Sequence, residues 1–119
     1  MLYQDLAWFG WSPSVARPVL TQIHDLPGLL GAMYVMEGST LGGQFIARHV
    51  EHVLHLKKGL GNSYFVGHGD LTGSMWKSFC DLLANKVSDE DTGAVIQGAR
   101  NMFVTFGEWM RRIQESDAR

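Results

Sequence analysis

A single cysteine, Cys80, leaves this chain of 119 residues without an internal disulfide, so packing alone has to hold it together. No apolar run approaches the roughly 18 residues of a membrane-spanning helix, and no charged start leads into a short apolar stretch. With neither pattern in the sequence, a soluble, cytoplasmic protein is expected. Charge of either sign is sparse: 10 basic residues against 12 acidic give a net charge of −2, with no basic footprint for nucleic acid. Strand-like alternation, internal repeats and low-complexity tracts are missing too, so the expected class is all-α. Proline is confined to three positions, all between Trp11 and Gly28. What the chain does have is a hydrophobic content of 45% and 14 glycines. Its length suits one domain with a modest core, residues 1–119.

About four helices are expected. Leu2, Leu6 and Phe9 recur at helical spacing until Gly10 and Ser12-Pro13 stop the pattern. Trp11 to Gly28 reads as an extended connection, with Asp25-Leu26-Pro27-Gly28 as its last turn. From Leu29 to about Lys58 one long helix keeps its period through Leu30, Met33, Tyr34, Leu41, Phe45, Ile46, Val50, Val53 and Leu54, and adjacent Gly42 and Gly43 predict a kink. A loop rich in glycine from Gly59 to Gly73 is anchored by Tyr64-Phe65-Val66. Thr72 or Ser74 caps a helix carrying Met75, Trp76, Phe79, Leu82 and Leu83. Ser88-Asp89-Glu90-Asp91 opens the last helix, which runs to about Gln114. Its stripe of Val95, Ile96, Ala99, Met102, Phe103, Phe106, Trp109, Met110 and Ile113 is expected to face the core.

Three glycines in six residues, Gly38, Gly42 and Gly43, interrupt the long helix. Each costs about 1 kcal/mol relative to alanine in a helix interior, so close approach of something to the backbone has to compensate. Two partners fit that requirement: a neighbouring helix, as in G-x-x-x-G packing, or a flat ligand lying on the helix. The run Glu37-Gly38-Ser39-Thr40-Leu41-Gly42-Gly43-Gln44-x-Ile46-Ala47-Arg48 resembles the distal helix of bacterial haem oxygenases, most closely the bacteriophytochrome-associated type. Ala99-Arg100-Asn101-Met102-Phe103-x-x-Phe106-x-x-Trp109 resembles the family's A-R-x-T-F-x-x-[LF]-x-x-W ending.

The resemblance implies a haem oxygenase-like helical fold, matched to the C-terminal portion of a family member and lacking the N-terminal proximal helix. It implies an enzyme activity, the oxidative cleavage of haem to biliverdin, carbon monoxide and iron, impaired in this chain alone because no residue corresponds to the proximal histidine. Haem is then substrate and ligand, and an external electron donor is needed. By the same resemblance Gly38, Gly42 and Gly43 let haem approach, Ser39 anchors a distal water network, Arg48, Arg100 or Arg111 meets a propionate, and Phe103 adds an apolar contact. Ser39 stands where mammalian-type members carry a catalytic aspartate. The alternative is a non-enzymatic descendant, either a tetrapyrrole-binding protein or a helical assembly module.

Other residues read as structural. His49, His52 and His55 form an H-x-x-H-x-x-H run, but successive three-residue steps turn by about 60°, so all three do not meet one ion and no metal site is expected. A metal held by His49, His52 and Glu51 is the third function considered. His24 and His68 lack partners at useful spacing, Cys80 reads as a buried thiol, and Glu37 as a capping or inter-helix hydrogen-bond acceptor. A haem oxygenase fold without its proximal helix exposes an apolar face. The expected partners are therefore a second copy, as a homo-oligomer or helix-swapped dimer, or a separate chain supplying the absent helix.

Overall fold

The computed structural model describes residues 1–13, 16–19 and 23–117, so part of the connection between Trp11 and Gly28 lies outside the described residues. Helices make up 75% of the fold, with no strands among the described residues, and one helix is bent by 38°. Among the described residues five helices occur in order: α1 (Leu2–Trp8), α2 (Leu26–Leu54), α3 (Ser63–Val66), α4 (Thr72–Lys86) and α5 (Thr92–Asp117), with a 3-10 turn, Gly69–Leu71, before α4. The four-helix reading corresponds to α1, α2, α4 and α5, with the short turn of α3 added in the glycine loop.

Both ends of α2 differ from the expectation. The Asp25–Gly28 segment is its first turn, because the Asp25 Oδ1 accepts the Gly28 N–H at 2.8 Å as a cap and proline is tolerated that early in a helix. The far end falls at Leu54 rather than Lys58. His55 takes a left-handed φ of 53° there. The Leu56 N–H donates back to the Glu51 carbonyl at 3.0 Å, which closes a Schellman-type cap around a residue other than glycine. α2 stays helical without a break through Gly42 and Gly43.

The chain forms two compact units, Met1–Val15 with Glu37–Cys80, and Ala16–Met36 with Asp81–Arg119. In the first unit, one face of α2 holds the loop between residues 59 and 72. Gln44 Nε2 donates to the Val66 carbonyl at 2.7 Å and to Thr72 Oγ1 at 3.2 Å, while Thr72 Oγ1 donates to the Gly69 carbonyl. One turn on, Asn62 is 1% exposed. Its amide donates to the Ala47 carbonyl and to Glu51 Oε1 at 3.0 Å and accepts the Gly59 N–H at 3.0 Å. Every polar group of that amide is engaged, as burial demands.

α1 is tied to the same loop by Asp5. Its Oδ1 accepts the Ser63 N–H at 2.8 Å and the Ser63 hydroxyl at 2.7 Å, and its Oδ2 accepts the Tyr64 N–H at 2.8 Å. Burial disfavours the charged carboxylate, but the hydrogen bonds from Tyr64 and Ser63 outweigh it and hold its pKa below the ordinary 3.8. The unfolded chain therefore takes up a proton here before the folded one does. The stabilisation is complete above about pH 5 and is lost as pH falls through the lowered pKa. An Asp5→Asn variant is expected to lose about 2 kcal/mol at neutral pH and to show a shallower loss of stability below pH 4, read by urea melts across pH. Equal acid sensitivity in parent and variant would remove Asp5 from this role.

In the second unit, the first turns of α2 cross the first turns of α5 backbone to backbone. A Cβ on Gly31 would collide with the Val95 carbonyl oxygen and lie 2.6 Å from the Ala99 nitrogen. One on Gly98 would meet the Gly28 carbonyl oxygen and lie 2.9 Å from the Gly28 Cα. Leu30 and Ala32 are buried beside this crossing. The rest of α5 departs from the expected core stripe. Val95, Ala99, Met102 and Trp109 are half-buried, whereas Ile96, Phe103, Phe106, Met110 and Ile113 are exposed. Periodicity identifies an apolar face on a helix but not which part of that face another element covers.

Candidate functional site

The three glycines of α2 turn out to do different things. At Gly38 a Cβ would lie 3.4 Å from the Trp76 ring, so this glycine lets the indole of α4 seat against the helix. At Gly43 it would lie 2.9 Å from the Phe65 carbonyl oxygen, so this one admits the backbone of α3. Gly43 is buried accordingly, one position before the Gln44 hydrogen bonds to the same loop. At Gly42 a Cβ would meet nothing within 4 Å. Its helical cost of about 1 kcal/mol is offset by no packing within the unit.

Gly42 lies on the side of α2 away from the residues that hold the loop. Gln44, Ala47 and Glu51 follow one another at helical spacing on the loop-bearing face, while Gly42 is rotated by roughly 140° or more from Ala47 and Gln44. Its neighbours one turn before are Gly38 and Ser39, and one turn after are Phe45 and Ile46. Ser39 is exposed, Phe45 is 71% exposed and Ile46 45% exposed. The result is bare backbone at Gly42 alone, flanked by two large apolar side chains and a hydroxyl. Such a spot suits a flat apolar ligand that needs contact with main chain.

The remaining site candidates are placed as follows. Arg48 is exposed, with its guanidinium 6.0 Å from the centre of the Phe45 ring, which keeps it beside the aromatic that flanks Gly42. Arg100 and Phe103 lie on α5 in the second unit, both exposed, Phe103 by 61%. The structure thus brings Gly38, Ser39, Gly42, Gly43 and Arg48 together on one helix of the first unit, and carries Arg100 and Phe103 in the other.

Glu37 is half-buried, its carboxylate 3.9 Å from His68 Nε2, a partner that the sequence did not assign to either residue. Among the described residues no group of three or more His, Cys, Asp or Glu side chains could hold a metal ion. His49, His52 and Glu51 form no such group there, and the Glu51 carboxylate accepts a hydrogen bond from the Asn62 amide. Cys80 is a half-buried free thiol rather than a fully buried one.

A cleft of about 210 Å³ in the second unit was not legible in the sequence. It is lined by Asp25, Gly28, Ala32, Gln97, Gly98 and Asn101 among others. Its polar groups are partly spent on one another, since Gln97 Nε2 donates to Asn101 Oδ1 at 2.8 Å and Asp25 caps α2. No motif marks these residues; the small residues Gly28, Ala32 and Gly98, spaced along two helices, are the one signal that the helices approach closely there.

An all-helical fold built on a glycine-interrupted helix is the class these observations define. A family model described as heme oxygenase matches residues 17–112. The chain belongs to the haem oxygenase family. No curated protein and no solved structure matches it. No helix among the described residues is long and apolar enough to cross a membrane.

Proposed function

We propose that this chain binds haem against the exposed face of α2 at Gly42, as a haem oxygenase-like protein of the bacterial, bacteriophytochrome-associated type. The reading rests above all on Gly42, the one glycine of the three whose bare backbone packs against nothing within its unit. A haem disc needs such a surface. The missing side chain lets the macrocycle reach main chain, and Phe45 and Ile46 supply apolar contact one turn on. Arg48, next to Phe45, is the cation for a propionate. Ser39 sits one turn before Gly42, where its hydroxyl can hold a water over the ring.

Haem, as substrate, brings the iron at which dioxygen is activated, and the family reaction yields biliverdin, carbon monoxide and iron. The chain's own share is orientation of the ring and restriction of the space above it. No residue of this chain corresponds to the family's proximal histidine, so cleavage by this chain alone is expected to be slow. The test is a single-turnover assay: the hemin complex is supplied with a reductant and dioxygen, and absorbance of biliverdin and release of carbon monoxide are followed. Biliverdin above the level given by free hemin and reductant supports an oxygenase. A stable complex yielding none assigns the chain to the non-enzymatic, tetrapyrrole-binding alternative. Trp76 and Phe65 already account for Gly38 and Gly43, so both readings of haem binding turn on Gly42.

A further inference from the structure

The cations of α2 all stand at one end. From Leu26 to Ala47 the helix carries no lysine, arginine or histidine, whereas Arg48, His49 and His52 follow near its end and His55, Lys57 and Lys58 just beyond it. All six are exposed. The only carboxylate between Gly38 and Gly69 is that of Glu51. It stands about 180° round the helix from Gly42, nine residues on, and accepts a hydrogen bond from the Asn62 amide. A helix dipole favours cations within the last turn, but Arg48 and His49 precede that turn, so the dipole does not account for them.

His49 is the cation in line with Gly42. Seven residues bring it back to within about 20° of the same side, about 10 Å further along the axis and past Phe45 and Ile46. Arg48 stands next to it. This side of α2 therefore runs from bare backbone, through two exposed apolar side chains, to an imidazole and a guanidinium. Haem has the same order from its centre to one edge, an apolar macrocycle ending in two carboxylates.

We infer that haem lies lengthwise on this face with its propionate edge toward the C-terminal end of α2, Arg48 holding one carboxylate and His49 donating a ring N–H to the other. The inference rests on the Gly42 reading and adds a direction to it. In the opposite direction α2 offers a carboxylate no cation at all as far as Leu26. The reach also fits, because the distance from Gly42 to His49 along the axis is comparable with that from the iron of haem to its carboxylates. An imidazole donates an N–H whether neutral or protonated, so the contact does not require a charged ring. His49 then decides how the disc is turned in its own plane.

The test compares hemin with hemin dimethyl ester, whose carboxylates are methylated, in Soret titrations of the full chain. The proteins are the parent, His49→Leu, His49→Gln and His24→Leu. The parent is expected to prefer hemin to the diester. His49→Leu should lose about tenfold of that preference with its diester affinity unchanged, and His49→Gln, which keeps an N–H donor, should recover most of it. His24 is exposed and lies in the other unit, so His24→Leu controls for the loss of any surface histidine. Circular dichroism shows whether the variants keep the parent's helix content, and His49→Ala replaces His49→Leu if the latter fails to fold. Equal loss of both ligands, an unchanged preference in His49→Leu, or the same loss in His24→Leu overturns the inference. So does a Soret maximum that moves only in the His49 variants, which would make the imidazole an iron ligand instead. A parent that binds both porphyrins without preference brings down this inference alone, whereas a parent that binds neither brings down the Gly42 reading with it.

Discussion

Replacing Gly31 by alanine will lower the stability of the chain by about 3 kcal/mol and its thermal midpoint by on the order of 10 °C. The added methyl has nowhere to go. It points at the Val95 carbonyl oxygen, with the Ala99 nitrogen 2.6 Å and the Gly98 carbonyl carbon 3.0 Å from it. These are backbone atoms of α5, which cannot rotate aside as the end of a side chain would. The two helices have to separate instead, and separation uncovers Leu30 and Ala32, two of the few buried apolar side chains the fold possesses. Helix propensity works the other way, since alanine gains about 1 kcal/mol over glycine, and the clash outweighs it. Gly107→Ala on α5 isolates that term, because its Cβ would meet nothing within 4 Å. It is expected to raise stability by about 0.5–1 kcal/mol. Urea denaturation followed by circular dichroism measures both. Gly31→Ala within 0.5 kcal/mol of the parent would mean that the crossing is looser than described.

Leucine at Gly42 is expected to have the opposite effect on stability and a large one on hemin. With open space around its Cβ, the substitution should raise stability by about 0.5–1 kcal/mol through helix propensity alone. Hemin affinity should fall by at least about tenfold, because an isobutyl group would stand between the macrocycle and the backbone it is proposed to approach. This separation of effects is the point of the experiment. A substitution that damages the fold would lower both quantities, as Gly43→Ala is expected to do through its 2.9 Å approach to the Phe65 carbonyl. A substitution that fills a ligand surface lowers one and raises the other. Affinity unchanged by Gly42→Leu would move haem off this face of α2.

Local pattern made the helices legible, and tertiary contact made their surfaces otherwise. The period of α2 ran visibly from Leu30 to Leu54, and the acidic and hydroxyl residues at 88–91 announced α5. Helix ends were less visible, because Asp25 caps with a hydrogen bond to Gly28 that makes a proline turn helical, and His55 adopts a left-handed φ usually left to glycine. Gly38, Gly42 and Gly43 are alike in sequence. What distinguishes them is Trp76, 38 residues downstream of Gly38, and Phe65, 22 downstream of Gly43, and no local spacing reports either. The same holds for α5, whose apolar stripe reads as one face although Val95, Met102 and Trp109 pack within their unit and Phe103 and Phe106 do not. Gly31 and Gly98 were also invisible as a pair, since the crossing joins positions 67 residues apart.

Titration of the purified chain with hemin, followed at the Soret band and repeated with serum albumin as competitor, decides whether haem binds at Gly42. Saturation at one hemin per chain, retention against the competitor, and loss of that retention in Gly42→Leu are expected. Non-saturating binding that albumin removes from the parent chain would contradict it, and would leave the glycine helix as architecture alone.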